Sequence, residues 1–145
     1  MMIRNKFLFY LLSFTWGCIM TVIGAIVALV LVIAGHKPKK WGYCWYFEVG
    51  KSRWGGMELG LFFLCNKNPS EHIRNHEVGH AIQGCWFGPL MPFIVCIPSF
   101  IRYWYREIRQ KIGKPCLTKY DDIWFEGQAT RLGTELINYI WQSDL

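Results

Sequence analysis

The sequence predicts an α+β fold, in which an N-terminal transmembrane helix precedes a small domain built from a β-hairpin and several helices. Three observations lead to this prediction: a long uncharged run near the N-terminus, two segments rich in aromatic residues, and helix start and stop signals after them. Because the chain has 145 residues, we expect one domain besides the anchor. The anchor with its basic flanks occupies residues 1–40, and the domain occupies residues 41–145.

The N-terminal anchor is predicted from a lack of charge. Residues 7–34 carry no charged side chain, and this run is longer than the ~20 residues that cross a bilayer as a helix. A cleaved signal peptide would have an apolar region of only ~7–15 residues and a small-residue cleavage site. A buried core helix would need apolar partners on all sides, and no comparable helix is available. We therefore favour a retained single span.

The distribution of basic residues predicts the orientation and the partners. Arg4 and Lys6 precede the apolar run, whereas five basic residues follow it closely: Lys37, Lys39, Lys40, Lys51 and Arg53. The positive-inside rule then places the domain in the cytoplasm, and six scattered cysteines fit a reducing compartment. Part of the net charge of +6 lies in residues 102–119 and suits anionic lipid headgroups. We expect the lipid bilayer as a partner, and no nucleic acid.

Two strands are predicted after the anchor, in residues 43–49 and 57–65, joined by a glycine-rich loop. The second strand comes directly before a helix that carries chemistry. A free strand edge there would hold an extended peptide by backbone hydrogen bonds. The candidate substrate-binding residues are Met57, Glu58, Leu59, Gly60 and Leu61. A structural hairpin that merely covers the helix fits the same pattern equally well.

The start of that helix is predicted from its capping residues. Asn68 is expected at the N-cap, Pro69 at the first helical position, and Glu71 at the third, where it completes a capping box. Downstream, residues 87–101 are apolar but contain three prolines, so they fit a second span, a re-entrant or interfacial segment, or a buried connection. We favour a segment that lies in or against the membrane and returns. A basic amphipathic helix is expected at residues 100–112.

The helix carries the pattern His76-Glu77-Val78-Gly79-His80. Histidines four residues apart lie one turn apart on the same face, so both imidazoles can reach one ion. Glu77 projects beside that ion and can take a proton from a metal-activated water. Gly79 costs roughly 1 kcal/mol of helix propensity relative to Ala, which is easier to explain if another backbone comes close there. The alternative is a solvated helix that happens to carry histidines.

A third metal ligand is predicted in the last helix, residues 123–141, which begins after Asp121 or Asp122 as N-cap. Glu126 is flanked by small residues that allow close approach to another helix. Two histidines and one carboxylate, with the fourth position left to water, form the open arrangement of a catalytic zinc site. The rival carboxylates and imidazole are Asp122, His72, Glu58 and Glu135, of which Glu135 should point away from Glu126.

Several short motifs together resemble a known group of proteins. They are a Gly-Gly-x-x-Leu-Gly strand, His76-Glu77-x-Gly79-His80-x-x-Gln83, Gly88-Pro89-Leu90, Ile97-Pro98-Ser99, and Trp124-x-Glu126-x-x-Ala129-x-Arg131-Leu132-Gly133. The set, roughly residues 54–133, resembles small bacterial membrane proteins with a zincin-type metallopeptidase motif and, more broadly, the gluzincins. The resemblance implies a zincin-like domain, zinc ligands at His76, His80 and Glu126, and a base at Glu77.

The expected function is that of a membrane-anchored zinc metallopeptidase acting on membrane-associated peptides or proteins, with Glu77 as general base. The alternative is a non-catalytic membrane protein that uses a metal for structure or interaction. Oxyanion stabilisation needs a donor, for which Tyr120, Arg131 and Tyr139 are available. An acceptor for the imidazole N–H groups is also expected, with Asp122 as the candidate.

Overall fold

The computed structural model describes residues 3–50 and 54–143, so Lys51 and Arg53, which entered the orientation prediction, lie outside the described residues. Within those ranges, α-helices and a four-stranded sheet confirm the predicted α+β class. The elements in chain order are α1 (Lys6–Phe14), α2 (Cys18–Ile33), β1 (Lys39–Trp41), β2 (Cys44–Glu48), β3 (Gly56–Leu59), β4 (Phe62–Cys65), α3 (Glu71–Phe87), α4 (Ile97–Lys111) and α5 (Trp124–Ser143).

The apolar N-terminal region does not form the single helix that its composition predicts. It forms α1 and α2, which are bent by 88° at a short break. Contacts with the end of α3 hold this corner: the Trp16 indole donates to the Trp86 carbonyl, and Gly17 lies against the Gly84 carbonyl. In the described ranges no single helix is long and apolar enough to cross a membrane, while two bent pairs (α1 with α2, and Glu71–Leu90 with Pro92–Lys111) pass that test by length and composition.

The sheet corrects the prediction of one long hairpin. Its strand order is β1-β2-β4-β3, with β2 and β4 parallel and the two outer pairs antiparallel. Residues 57–65 do not form one strand, because the chain reverses at Gly60, whose positive φ of 70° suits a tight turn. Thr21 packs against the outside of this turn. As a result β3 is an edge strand, next to the predicted metal-binding helix.

Helix α3 begins later than its sequence predicts. Ser70, not Asn68, is the N-cap, and its hydroxyl accepts a hydrogen bond from the Ile73 amide at 3.3 Å. Asn68 instead has a φ of 52°, a left-handed conformation that asparagine tolerates. Consequently Pro69 stands before the helix, and Glu71 is its first residue, where the carboxylate faces the positive end of the helix dipole.

Helices α3 and α5 cross at very short range, as Gly79 predicted. A Cβ on Gly79 would overlap the Ala129 carbonyl, and one on Gly133 would overlap the Asn75 carbonyl. Glycine at both crossing points therefore lets the two backbones touch. The main core surrounds this contact and takes buried side chains from both helices, from α1 and from the sheet, among them Phe9, Phe63, Ile82 and Leu136.

Residues 87–101 do not form one extended segment. Two short helical turns, Gly88–Leu90 and Pro92–Cys96, connect α3 to α4. Helix α4 begins upstream of the expected position, because Pro98 falls in its first turn, where a missing amide proton is tolerated. After α4, a 3-10 turn at Tyr120–Asp122 leads into α5.

Candidate metal centre

The structure brings together the three side chains that the sequence predicted as metal ligands. Nε2 of His76 lies 3.0 Å from Nε2 of His80, and each of these nitrogens lies close to Oε2 of Glu126, at 3.0 and 3.1 Å. The two histidines come from α3 and the glutamate from α5, so the close helix crossing creates the cluster. Within the described residues, this is the group of His, Cys, Asp and Glu side chains suited to hold a metal ion.

The far side of each imidazole is occupied by a hydrogen-bond acceptor. The Gln83 amide nitrogen donates to the Phe125 carbonyl and to Gln128, so its oxygen accepts from Nδ1 of His80 at 2.8 Å. The Thr130 hydroxyl donates to Asp121 and accepts from Nδ1 of His76 at 2.8 Å. In their neutral form both rings therefore carry their proton on Nδ1 and present an Nε2 lone pair to the cluster.

Three lone pairs thus converge without a donor between them. Two unprotonated nitrogens and a carboxylate oxygen at about 3 Å from one another repel unless a cation lies among them. In addition, Oε1 of Glu126 is buried and has no hydrogen-bond partner. Burying such a group without compensation is costly. The donor set therefore fits a divalent cation, and imidazole with carboxylate is a set that zinc and other transition metals accept.

The pKa values of the three candidate ligands are shifted because these side chains are buried and lie so close together. Burial raises the pKa of Glu126, but its bonds with His76 and His80 outweigh this and lower the pKa far below its usual range. Burial lowers the pKa of His80, yet its bond with Glu126 and the nearby carboxylates raise the pKa to about 9, so without a metal ion Nε2 of His80 holds a proton in the place of the cation. Burial lowers the pKa of His76, in line with a neutral ring. The cluster as folded therefore attracts positive charge, as a cation site should.

A cavity of about 1200 Å³ opens onto the cluster, and Glu77 lines it together with both histidines. The Glu77 side chain is 4% exposed, and burial raises its pKa to about 8. Its carboxylate lies against Gly56 of β3, where a Cβ would overlap it. Because Gly56 has no side chain, the Glu77 carboxylate has room beside the three candidate metal ligands.

The edge of β3 borders the same cavity. The Asn66 amide donates to the Gly55 carbonyl at 3.0 Å, which makes Gly55 and Asn66 a hydrogen-bonded pair of the β3–β4 ladder. Because antiparallel pairs alternate, the backbone groups of Gly56 and Glu58 point away from β4, toward the free edge. Of the predicted substrate-binding residues, Met57, Glu58 and Leu59 lie on this edge strand and line the cavity. Gly60 and Leu61 form the turn and do not line it.

Among the candidate oxyanion donors, Tyr120 alone lines the cavity. Its ring lies 6.5 Å from that of His76, and its hydroxyl is 2.9 Å from the Ser99 hydroxyl. Burial raises the pKa of Tyr120 to about 12, which keeps its proton available for donation. Arg131 is exposed on α5, and Tyr139 lies under the Arg4 guanidinium, away from the cluster.

The rival ligands lie elsewhere. His72 is exposed, with Nε2 3.6 Å from Asp121, and Glu135 is exposed on α5, as predicted. Glu58 is buried, and its carboxyl group accepts a hydrogen bond from the Gly60 amide. The prediction of Asp122 as the imidazole acceptor is wrong, because Asp122 caps the 3-10 turn by accepting from the Lys119 amide.

Sequence reasoning missed Asp121, which supports His76 through Thr130. Nothing in two adjacent aspartates indicates which one faces the site, because the turn that orients them is set by the fold. The polar residue Gln83, which did stand out within the motif, turns out to orient His80. Comparisons with protein-family models, with curated proteins and with solved structures find no match to this chain.

Proposed function

We propose that this protein is a membrane-anchored zinc metallopeptidase, with ligands His76, His80 and Glu126 and Glu77 as the general base. One observation carries the proposal: three acceptor atoms converge, and the two histidines that supply two of them line an open cavity together with the buried carboxyl group of Glu77. Zinc is the metal that two imidazoles and one carboxylate hold in metallopeptidases, with the fourth position free. The same donor set also suits Fe²⁺, so the metal must be identified by measurement.

An open cavity favours a catalytic over a structural site. Structural zinc sites are closed by four protein ligands, whereas catalytic sites keep one position for water or substrate. Here three side chains form the cluster within the described residues, and the cavity reaches it directly. Glu77 is buried beside the cluster and lines the same cavity, and a carboxyl group in that place has a clear use in proton transfer.

The chain's own residues can be given roles in peptide hydrolysis. A bound divalent cation supplies Lewis acidity and lowers the pKa of water. The positive charge of such a cation would also lower the pKa of Glu77, and the ionised carboxylate would accept the proton of the attacking water and then pass it to the leaving amine. The Tyr120 hydroxyl donates to the developing oxyanion. Gln83 and Thr130 hold the imidazoles in the tautomer that leaves each Nε2 free.

A peptide substrate fits the free edge of β3. The outward N–H and C=O groups of Gly56 and Glu58 can pair with an extended backbone, which would pass the cluster and Glu77. The anchor proposed for this enzyme is the pair α1–α2, whose exposed apolar side chains include Phe7, Ile26 and Ile33. We place the catalytic domain on the cytoplasmic side and take its substrates to be membrane-associated peptides or proteins.

The test is Glu77→Gln, which keeps the size of the side chain and removes its basicity. We expect cleavage of a quenched-fluorescence peptide library to fall by about 10²–10⁴-fold, while the metal content stays unchanged. Glu71→Gln is the matched control, because Glu71 is exposed on the same helix, outside the cavity. The control should cleave as the wild type does.

The alternative function is a non-catalytic membrane protein that binds a metal for structure or for an interaction. It predicts a loaded metal site with no cleavage by the wild type, and no change on replacing Glu77. Equal cleavage by the wild type and by Glu77→Gln would also contradict the proposed role of Glu77.

A further inference from the structure

Helix α4 is amphipathic, and its apolar side is exposed, although the apolar side of such a helix usually packs against a core. None of its residues is buried. Its apolar side chains recur at helical spacing along one face, and each is about half exposed: Ile97, Phe100, Ile101, Trp104, Tyr105 and Ile108. We call these six side chains the outer face of α4. An exposed apolar stripe of this length indicates an apolar partner.

The opposite side of α4 is polar and faces the protein. The Arg102 guanidinium donates to the carbonyls of Lys119 and Tyr120, at 2.9 and 3.1 Å, and Arg106 donates to the Thr118 carbonyl at 2.8 Å. Ser99 bonds the Tyr120 hydroxyl. These bonds fix the rotation of the helix about its axis. The exposure of the outer face is therefore built into the fold.

The side chains around the outer face match a lipid surface. Trp104 and Tyr105 are amphipathic aromatic residues of the kind enriched at membrane–water interfaces. Arg102 and Arg106 are bonded to the protein, but Arg109 and Lys111 at the end of the helix, followed by Lys114, complement anionic headgroups.

The outer face is also close to the apolar side of α2. Met20 of α2 packs in one cluster with Met91 and Val95, which lie in the connection that leads into α4. From that connection Leu90 and Phe93 project outward, 55% and 68% exposed. The apolar side of α2 and the start of α4 therefore adjoin.

We infer that the outer face of α4 lies in the interfacial region of a lipid bilayer, as a contact separate from the N-terminal helices. Phe100, Tyr103 and Trp104 also line the cavity of the metal centre, so the bilayer then borders the entrance to that cavity. The consequence that substrates reach the centre from the membrane surface rests on the proposed function, whereas the lipid contact does not.

The experiment uses the full chain in vesicles of phosphatidylcholine with a minority of phosphatidylglycerol. The photoreactive residue p-benzoylphenylalanine replaces Ile108 on the outer face or, as matched control, Gln110. Both positions are exposed and they are two residues apart, which places them about 200° apart around the helix. A second probe at Ile101 guards against a folding defect at a single position.

We expect probes at Ile108 and Ile101 to cross-link to lipid at least about tenfold more than the probe at Gln110. Cross-links from the outer face to a second copy of the chain, visible as a dimer, would overturn the inference in favour of self-association. Equal lipid labelling at all three positions, or none, would overturn it as well. Because the readout needs no catalysis, loss of peptidase activity alone leaves the lipid result intact.

Discussion

Helices α3 and α4 both depart from an ordinary surface helix, but in opposite directions. In α3 the departure is inward, where Glu77, His80 and Gln83 are buried polar side chains. In α4 it is outward, where apolar side chains are exposed and arginines turn toward the protein. Both arrangements cost free energy in water for an isolated chain.

The difference between the two helices identifies two kinds of missing partner. Buried acceptors that converge at about 3 Å require positive charge, and a cation supplies it. For the exposed apolar stripe of α4 we propose a bilayer, which offers an apolar phase with anionic groups at its surface. On this proposal the site lies between the rigid contact of α3 with α5 and a helix that meets a lipid surface.

The largest expected loss of stability follows from a substitution that disrupts the close contact of α3 with α5. Gly79→Ala would drive a methyl group into the Ala129 backbone, which cannot rotate away, so we expect a loss of at least about 3 kcal/mol in the free energy of unfolding. Gly84→Ala is the matched control on the same helix, because its Cβ would meet only Glu58 at an ordinary 3.8 Å. The control should gain roughly 0.5–1 kcal/mol from helix propensity. Similar stabilities of the two variants in thermal unfolding would contradict the close crossing.

The next effect tests the buried polar side of the cavity through Glu58. Burial raises the pKa of Glu58 from 4.5 to about 7, against the opposing charge of His80 and the Gly60 amide. The folded protein therefore binds this proton more tightly than the unfolded chain. Its stabilising contribution is full below about pH 4.5 and is lost as the pH rises through about 7.

Glu58→Gln should remove that loss. At pH 8 we expect the variant to be more stable than the wild type by about 3 kcal/mol, and at pH 4 the difference should vanish. Denaturant unfolding at the two pH values measures this difference. A wild type that gains stability relative to the variant as the pH rises would show that Glu58 is held as a paired carboxylate.

A smaller effect concerns the support of His76. Thr130→Val keeps the shape of the side chain but leaves Nδ1 of His76 without an acceptor, so metal affinity should fall by about 10–100-fold. Thr134→Val, one turn further along α5, removes a hydroxyl that donates to the Thr130 carbonyl. Competition with a chelator measures both affinities. A comparable loss in the two variants would assign the effect to general damage of α5.

The smallest effect belongs to the outer face of α4. Ile108 is 56% exposed, so Ile108→Gln should change the free energy of unfolding in detergent by less than about 0.5 kcal/mol. Ile82→Ala, at a fully buried position of α3, should cost about 2–5 kcal/mol. A large loss for Ile108→Gln would mean that α4 packs its outer face against the protein itself.

The sequence specifies the rigid contact better than the rest of the fold. The spacing of His76 and His80 and the small residues near Glu126 predict which helices meet, because a helix presents every fourth residue on one face. Gly79 predicts the closeness of the contact, because no other residue leaves room for a backbone. Each of these signals lies within a few neighbouring residues, so it can be read without knowing how the rest of the chain folds.

Other features depend on contacts between distant residues and were not predictable in the same way. The bend between α1 and α2 depends on Trp16 and Gly17 meeting the end of α3, and no pattern within residues 7–34 encodes it. The hairpin within residues 57–65 depends on Gly60 turning against Thr21. For α4, its amphipathic pattern predicts the helix but not that the polar side faces inward, which follows only from the carbonyls of residues 118–120.

The central claim is that His76, His80 and Glu126 together hold one metal ion. Elemental analysis of the purified full-length chain tests it most directly, with Glu126→Gln compared against Glu135→Gln, an exposed glutamate of the same helix. We predict about one zinc ion per chain in the wild type and in Glu135→Gln, and a loss of most of the metal in Glu126→Gln. A wild type without stoichiometric metal, or a Glu126→Gln variant that keeps it, would contradict the account.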